Sequence, residues 1–86
     1  MAESKHTPLE CLARAERRDE EKGGAGLRTT AEVAEWCGLT VPATRRQLWT
    51  LAEAGDAEAF GCVGSTIEWR ITEQGRAAIA KAEGGQ

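Results

Sequence analysis

Few side chains in this sequence are equipped for bond-making chemistry, and their spacing argues against it. The single histidine, His6, stands in the polar N-terminal stretch 1–6, where a solvated side chain is expected. The three cysteines, Cys11, Cys37 and Cys62, are scattered without a Cys-x-x-Cys pair, so no zinc signature is present. No neighbour in the sequence clearly lowers the pKa of Cys11 or Cys62, and Cys37 falls on an apolar helical face. The glycine-rich run 23–26 lacks the lysine and following helix of a phosphate-binding loop. Catalysis needs a nucleophile, an acid–base group or a metal brought together. The expectation is therefore a non-enzyme with no metal and no cofactor. Recognition chemistry is better represented, at Arg45, Arg46 and Gln47. A guanidinium fork matches the major-groove edge of guanine, and a glutamine amide matches that of adenine. Thr40, Arg45 and Thr50 are candidates to hold phosphates, with Pro42 and Ala43 beside them. The competing reading of Arg45 and Arg46 is a helix kept soluble by its charges.

Two helical patterns joined by a tight corner must position those residues, over residues 29–55. Thr29 and Glu32 form a Thr-x-x-Glu capping box. Val33, Ala34 and Cys37 then share one face, Gly38 permits the turn, and Leu39 is expected to plug the corner. Thr40 is placed to cap the second helix, where Pro42 is tolerated because first-turn amides have no intrahelical partner. With Thr44, Leu48 and Leu51 facing inward, Pro42, Arg46, Trp49 and Glu53 face outward at 100° per residue. Small Ala34 allows a close crossing, as in a helix-turn-helix.

The flanking segments complete a single small domain over residues 7–83, between a flexible stretch 1–6 and a flexible tail 84–86. Thr7 and Pro8 open a helix with a narrow stripe of Leu9, Leu12, Ala13 and Ala15. Arg14, Arg17 and Arg18 are interleaved with acids and read first as a solvated face with near-neighbour ion pairs. A basic contact strip is the sharper alternative. After the glycine run, Leu27 and Arg28 suit a short first strand. Residues 56–61 make a weak strand, 62–65 carry turn chemistry, and Ile67, Trp69 and Ile71 alternate with polar residues in a half-buried strand. The hairpin over 56–72 leads to a last helix over 73–83, capped by Thr72, which offers Ala77, Ala78 and Ile79 to the core or a partner.

Ala34, Gly38, Leu39, Leu48, Leu51 and the closing Glu53-Ala54-Gly55 resemble the winged helix-turn-helix of small prokaryotic regulators. The arsenic-repressor and multiple-antibiotic-resistance-regulator superfamilies and the short fimbrial-operon regulators share this pattern. The likeness continues through Trp69-Arg70-Ile71-Thr72-Glu73-Gln74-Gly75-Arg76, similar to the segment where the last wing strand enters the next helix, and covers residues 27–80. It implies an α+β fold, mostly helical with a small antiparallel β-hairpin wing. It also implies transcriptional regulation through double-stranded DNA in a prokaryotic, phage or plasmid setting, with the second helix of the motif in the major groove. The chain departs from the metal-sensing arsenic-type pattern by lacking its cysteine cluster. The wing segment 60–65 carries no arginine or lysine, so Arg28 and Arg70 are the nearest basic residues to it. Minor-groove insertion is not expected.

Composition is that of ordinary globular material, with 41% hydrophobic and 29% charged residues. No apolar run is long enough to span a bilayer, the N-terminus lacks a signal core, and the odd cysteine count suits a reducing cytoplasm. The net charge of −3 runs against the basic surface common in DNA binders. It favours the alternative class, a winged-helix adaptor that binds protein. Trp69 reads as core, whereas Trp36 and Trp49 lie to the side of and outside the motif's inner face. There they are either partly covered by a terminal helix or anchors for a protein partner. The terminal helices also offer their small apolar faces for a homodimer.

Overall fold

Thr7 opens the first helix with a reciprocal cap: its hydroxyl accepts from the Glu10 amide at 3.2 Å, and the Glu10 carboxylate accepts from the Thr7 amide at 3.3 Å. Pro8 fits the first turn because its missing N–H is not needed there. In the computed structural model, which describes residues 7–61 and 66–84, this helix is α1 (Pro8–Glu20). There follow β1 (Arg28–Thr29), α2 (Thr30–Cys37), α3 (Val41–Ala54), β2 (Ala57–Gly61), β3 (Ile67–Ile71) and α4 (Glu73–Gly84). The expectations for 1–6, for the turn at 62–65 and for 85–86 fall outside the described residues.

Strand order is β1-β3-β2, with both pairings antiparallel. The short first strand comprises Arg28 and Thr29 rather than Leu27 and Arg28, and Arg28 lies opposite Trp69. Four helices and this small sheet make an α+β winged helix-turn-helix. Thr29 and Glu32 cap α2 reciprocally at 2.9 and 3.1 Å. Gly38 ends α2 at φ 72°, a left-handed conformation that costs glycine little.

One expectation at that corner is corrected. Leu39 is 37% exposed and plugs nothing. The backbone closes the turn itself, the Leu39 amide donating to the Ala34 carbonyl at 3.0 Å, so its side chain is free to face outward.

Leu12, Val33, Leu48, Trp69 and Ile71 form the centre of the core, with Cys11 and Ala57 at its margin. Trp69 is fully buried, and its indole N–H donates to the buried Thr30 hydroxyl at 2.8 Å. That bond joins β3 to the start of α2. Thr30→Val keeps the shape and strands the indole donor, and is expected to lower stability by about 1–3 kcal/mol, read as a shift in the urea midpoint at constant slope.

The start of α4 is tied to the end of α3. The Thr72 hydroxyl donates to the Gly55 carbonyl at 2.6 Å and accepts from the Gly75 amide at 3.1 Å. The Gln74 amide donates to the Ala54 carbonyl at 2.6 Å and to the Asp56 carboxylate at 2.8 Å. Gly75 is buried beneath the Asp56 backbone, and Ile79, one turn on, packs against the core. Of the three apolar residues that α4 offers to the core or a partner, only Ile79 packs on the core. Ala77 and Ala78 are exposed, because the i, i+4 pair Gly75 and Ile79 already occupies the inward side.

Candidate nucleic-acid interface

The second helix of the motif is anchored on one side and open on the other. The Thr40 hydroxyl accepts from the Ala43 amide at 3.2 Å, and the buried Thr44 hydroxyl donates to the Thr40 carbonyl at 2.8 Å. Thr44 and Leu48 are wholly buried, and Leu51 and Ala52 pack against the core. Pro42, Arg45, Arg46, Gln47, Trp49, Thr50 and Glu53 remain exposed, with Ala43 half-buried. Arg46 stands across the helix from Leu48, the position turned furthest from the core.

Among the described residues, Arg45 and Arg46 make no ion pair. Their guanidinium groups are available to an outside acceptor, and Glu53 is the opposing charge on the same exposed side. The start of α3 has one amide donor to spare. Pro42 has none and Ala43 gives its own to Thr40, which leaves that of Val41. Thr50 donates its hydroxyl to the Arg46 carbonyl at 3.1 Å, so as a phosphate donor it would first have to break that bond.

The other two basic residues singled out near the wing are engaged elsewhere. Arg28 grips Asp19 with both arms, Nη1–Oδ2 and Nη2–Oδ1 each at 3.0 Å, and Nη1 also donates to the Leu27 carbonyl at 2.7 Å. The hydrogen bond from Arg28 holds the Asp19 carboxyl below its ordinary pKa, and the same bond raises that of Arg28. Arg28 shares the inner sheet face with Trp69, directed toward the end of α1. Arg70 lies on the outer sheet face, where it pairs with Glu58 at 3.2 Å and sits over the Phe60 ring at 5.3 Å. The structure thus does not unite Arg28, Arg45, Arg46 and Arg70 in one unpaired basic stripe.

Trp49 lies outside the inner face of the motif. It is 43% exposed, yet its ring meets that of Trp69 edge-on, with centroids 5.0 Å apart and planes at 82°. Position 49 lies on the flank of α3 that borders the sheet, and β3 supplies part of its cover. Trp36 is half-buried, with the Arg14 guanidinium 6.0 Å from its ring centre.

The thiols described are poor nucleophiles. Burial pushes Cys11 up to about 11, with Cys37 nearby adding to the shift, and burial also raises Cys37. Among the described residues, no group of three or more histidine, cysteine or acidic side chains is placed to hold a metal ion. Among the same residues, no helix is long and apolar enough to cross a membrane.

No protein-family model and no curated protein sequence matches the chain. Its fold does match solved structures. It is similar to the AntR antimony-specific transcriptional repressor, with a TM-score of 0.56 and 26% identity over 87% of this chain and 68% of that one. It is also similar to a possible transcriptional regulatory protein from Mycobacterium bovis, a fragment of residues 1–100, with a TM-score of 0.58 and 18% identity over 92% and 89% of the two chains. The chain therefore has the winged helix-turn-helix fold of transcriptional regulators.

Proposed function

We propose that the protein is a sequence-specific DNA-binding transcriptional regulator of the prokaryotic cytoplasm that places α3 in the major groove. The observation that carries this reading is a pair of exposed arginines, Arg45 and Arg46, without ion pairs among the described residues, on a helix whose opposite side is locked into the core. Likeness in fold to two regulators supports it. In this role Arg46 reads a base edge, Arg45 holds a phosphate, and Gln47, Thr40 and Thr50 add polar contacts beside Pro42 and Ala43. Arg28 acts on the fold through Asp19, and Arg70 contributes only by leaving Glu58. With a net charge of −3, sequence-independent affinity is low and discrimination rests on few contacts. A homodimer through the exposed sides of α1 and α4 belongs to the same proposal.

Selection from a random-sequence duplex pool at low salt tests it. Arg46→Ala is expected to lose about 1–3 kcal/mol on the preferred site and to relax the preference at one position. Arg45→Ala is expected to weaken all sequences alike and to flatten the salt dependence. Enrichment of no sequence, or enrichment indifferent to both arginines, would sink the DNA reading. The second reading, a protein-binding adaptor, draws on Trp49 and Phe60, exposed by 43% and 38%. It would be supported by a folded Trp49→Ala variant that loses a co-purifying protein partner while DNA selection stays blank.

A further inference from the structure

Behind the motif, the three basic residues Arg14, Arg18 and Lys22 gather on one side of α1 and the turn that follows it. They open onto a cleft of about 190 Å³ between α1, β1 and α2, which Arg28, Asp19 and Trp36 also line. All three are exposed and make no ion pair among the described residues. That is notable in a chain with 14 acidic residues against 11 basic ones. Three of the four acids of α1 are engaged with other groups. Glu10 caps Thr7, Glu16 holds Arg76 at 2.7 Å, and both Asp19 oxygens are taken by Arg28, with the Gly26 amide sharing one at 3.1 Å. The bidentate pair Arg28–Asp19 cancels most of its own charge, with Lys22 adding to the field on the Asp19 carboxylate, so the lining of this small cleft carries four cations against one carboxylate. Trp36 supplies an aromatic wall already within 6.0 Å of the Arg14 guanidinium.

We propose that this cleft binds a small phosphate-bearing anion, with Arg14, Arg18 and Lys22 as its donors and Trp36 as its wall. A phosphate brings close to two negative charges and several strong acceptor oxygens, which suits three converging cations better than a singly charged carboxylate does. The volume is below the roughly 300 Å³ at which drug-sized pockets begin, so the occupant is inorganic phosphate or a small phosphomonoester. The site does not depend on the DNA reading. Its lining comes from α1, the turn after it, β1 and α2, and includes no residue of α3.

The test follows the Trp36 indole N–H in ¹H–¹⁵N spectra of the full chain, assigned by Trp36→Phe. Inorganic phosphate and phenyl phosphate are titrated at constant ionic strength, with chloride as the reference salt. A saturable shift is expected with either phosphate. Tighter binding of phenyl phosphate would identify the organic ester as the better occupant. Arg14→Gln and Arg18→Gln should each weaken it about tenfold, the size of one lost charge-assisted hydrogen bond. Arg17→Gln should leave it unchanged, since that side chain lines the separate crevice between α1 and α4. Circular dichroism establishes that each variant is folded. A shift that fails to saturate, that chloride reproduces, or that Arg17→Gln weakens equally would overturn the site. So would a response to short duplex DNA but not to either phosphate, which would make the cleft a DNA backbone contact.

Discussion

Trp69→Ala is expected to lower stability by about 3–5 kcal/mol, most or all of what a domain of this size possesses. The indole is fully buried in the middle strand of the sheet, opposite Arg28 on one side and Ala59 on the other. Three losses coincide in the variant. The ring leaves a cavity among Val33, Leu48 and Ile71, Trp49 loses its edge-on partner, and the Thr30 hydroxyl loses its donor. Chemical denaturation followed by far-ultraviolet circular dichroism checks this. A midpoint equal to the wild type would refute the placement of Trp69 at the centre of the core.

Gly75→Ala is the second large effect, and its sign runs against helix propensity. In an isolated helix, alanine for glycine is favourable by about 1 kcal/mol. Here a Cβ would overlap the Asp56 carbonyl oxygen, come within 3.1 Å of the Asp56 carbonyl carbon and stand 2.8 Å from Ile71 Cγ1. The Asp56 backbone has little room to retreat, because its carbonyl accepts from the Thr72 amide and its amide donates to the Leu51 carbonyl. Overpacking of this kind costs about 1–3 kcal/mol, and more where backbone blocks relief, so a net destabilisation of about 2 kcal/mol is expected. Thermal unfolding distinguishes the two signs, since propensity alone would raise the midpoint and the clash lowers it.

The local chemistry of the chain was legible before any coordinates. Thr29 with Glu32, Gly38, Thr40 and the alternation of Ile67, Trp69 and Ile71 each express a short-range rule, and the structure contains each of those features. What escaped was tertiary. Nothing in the mixed charges of α1 singles out Asp19 for Arg28, because a glycine loop decides which of several acids comes within reach. Helical geometry places Trp49 off the core, but only the position of β3 brings it against Trp69. Gly75 reads as a weak helix residue, and its reason lies in the backbone above it. In the candidate interface, spacing along α3 was enough to turn Arg46 outward. The ion pair that occupies Arg70 depends on strand register, and the one that occupies Arg28 on the packing of α1, neither of which a single sequence displays. The Arg14–Arg18 spacing was visible too, but not the aromatic wall that α2 sets beside it.

The sheet order β1-β3-β2 also bears on the sequence of events by which the chain assembles. β2 and β3 are near neighbours along the chain, and α2 and α3 meet across a corner of a few residues, so both units close short loops. β1 has two residues and pairs with a strand far downstream; the Thr30–Trp69 bond beside it spans 39 residues. Closing that loop costs more entropy than closing either local unit, and so short a strand returns little until its partner is in place. β1 is therefore expected to dock late in folding, and with it the Arg28–Asp19 clasp that fastens the end of α1. The end of α1 is then expected to be fastened only after the rest of the sheet has formed.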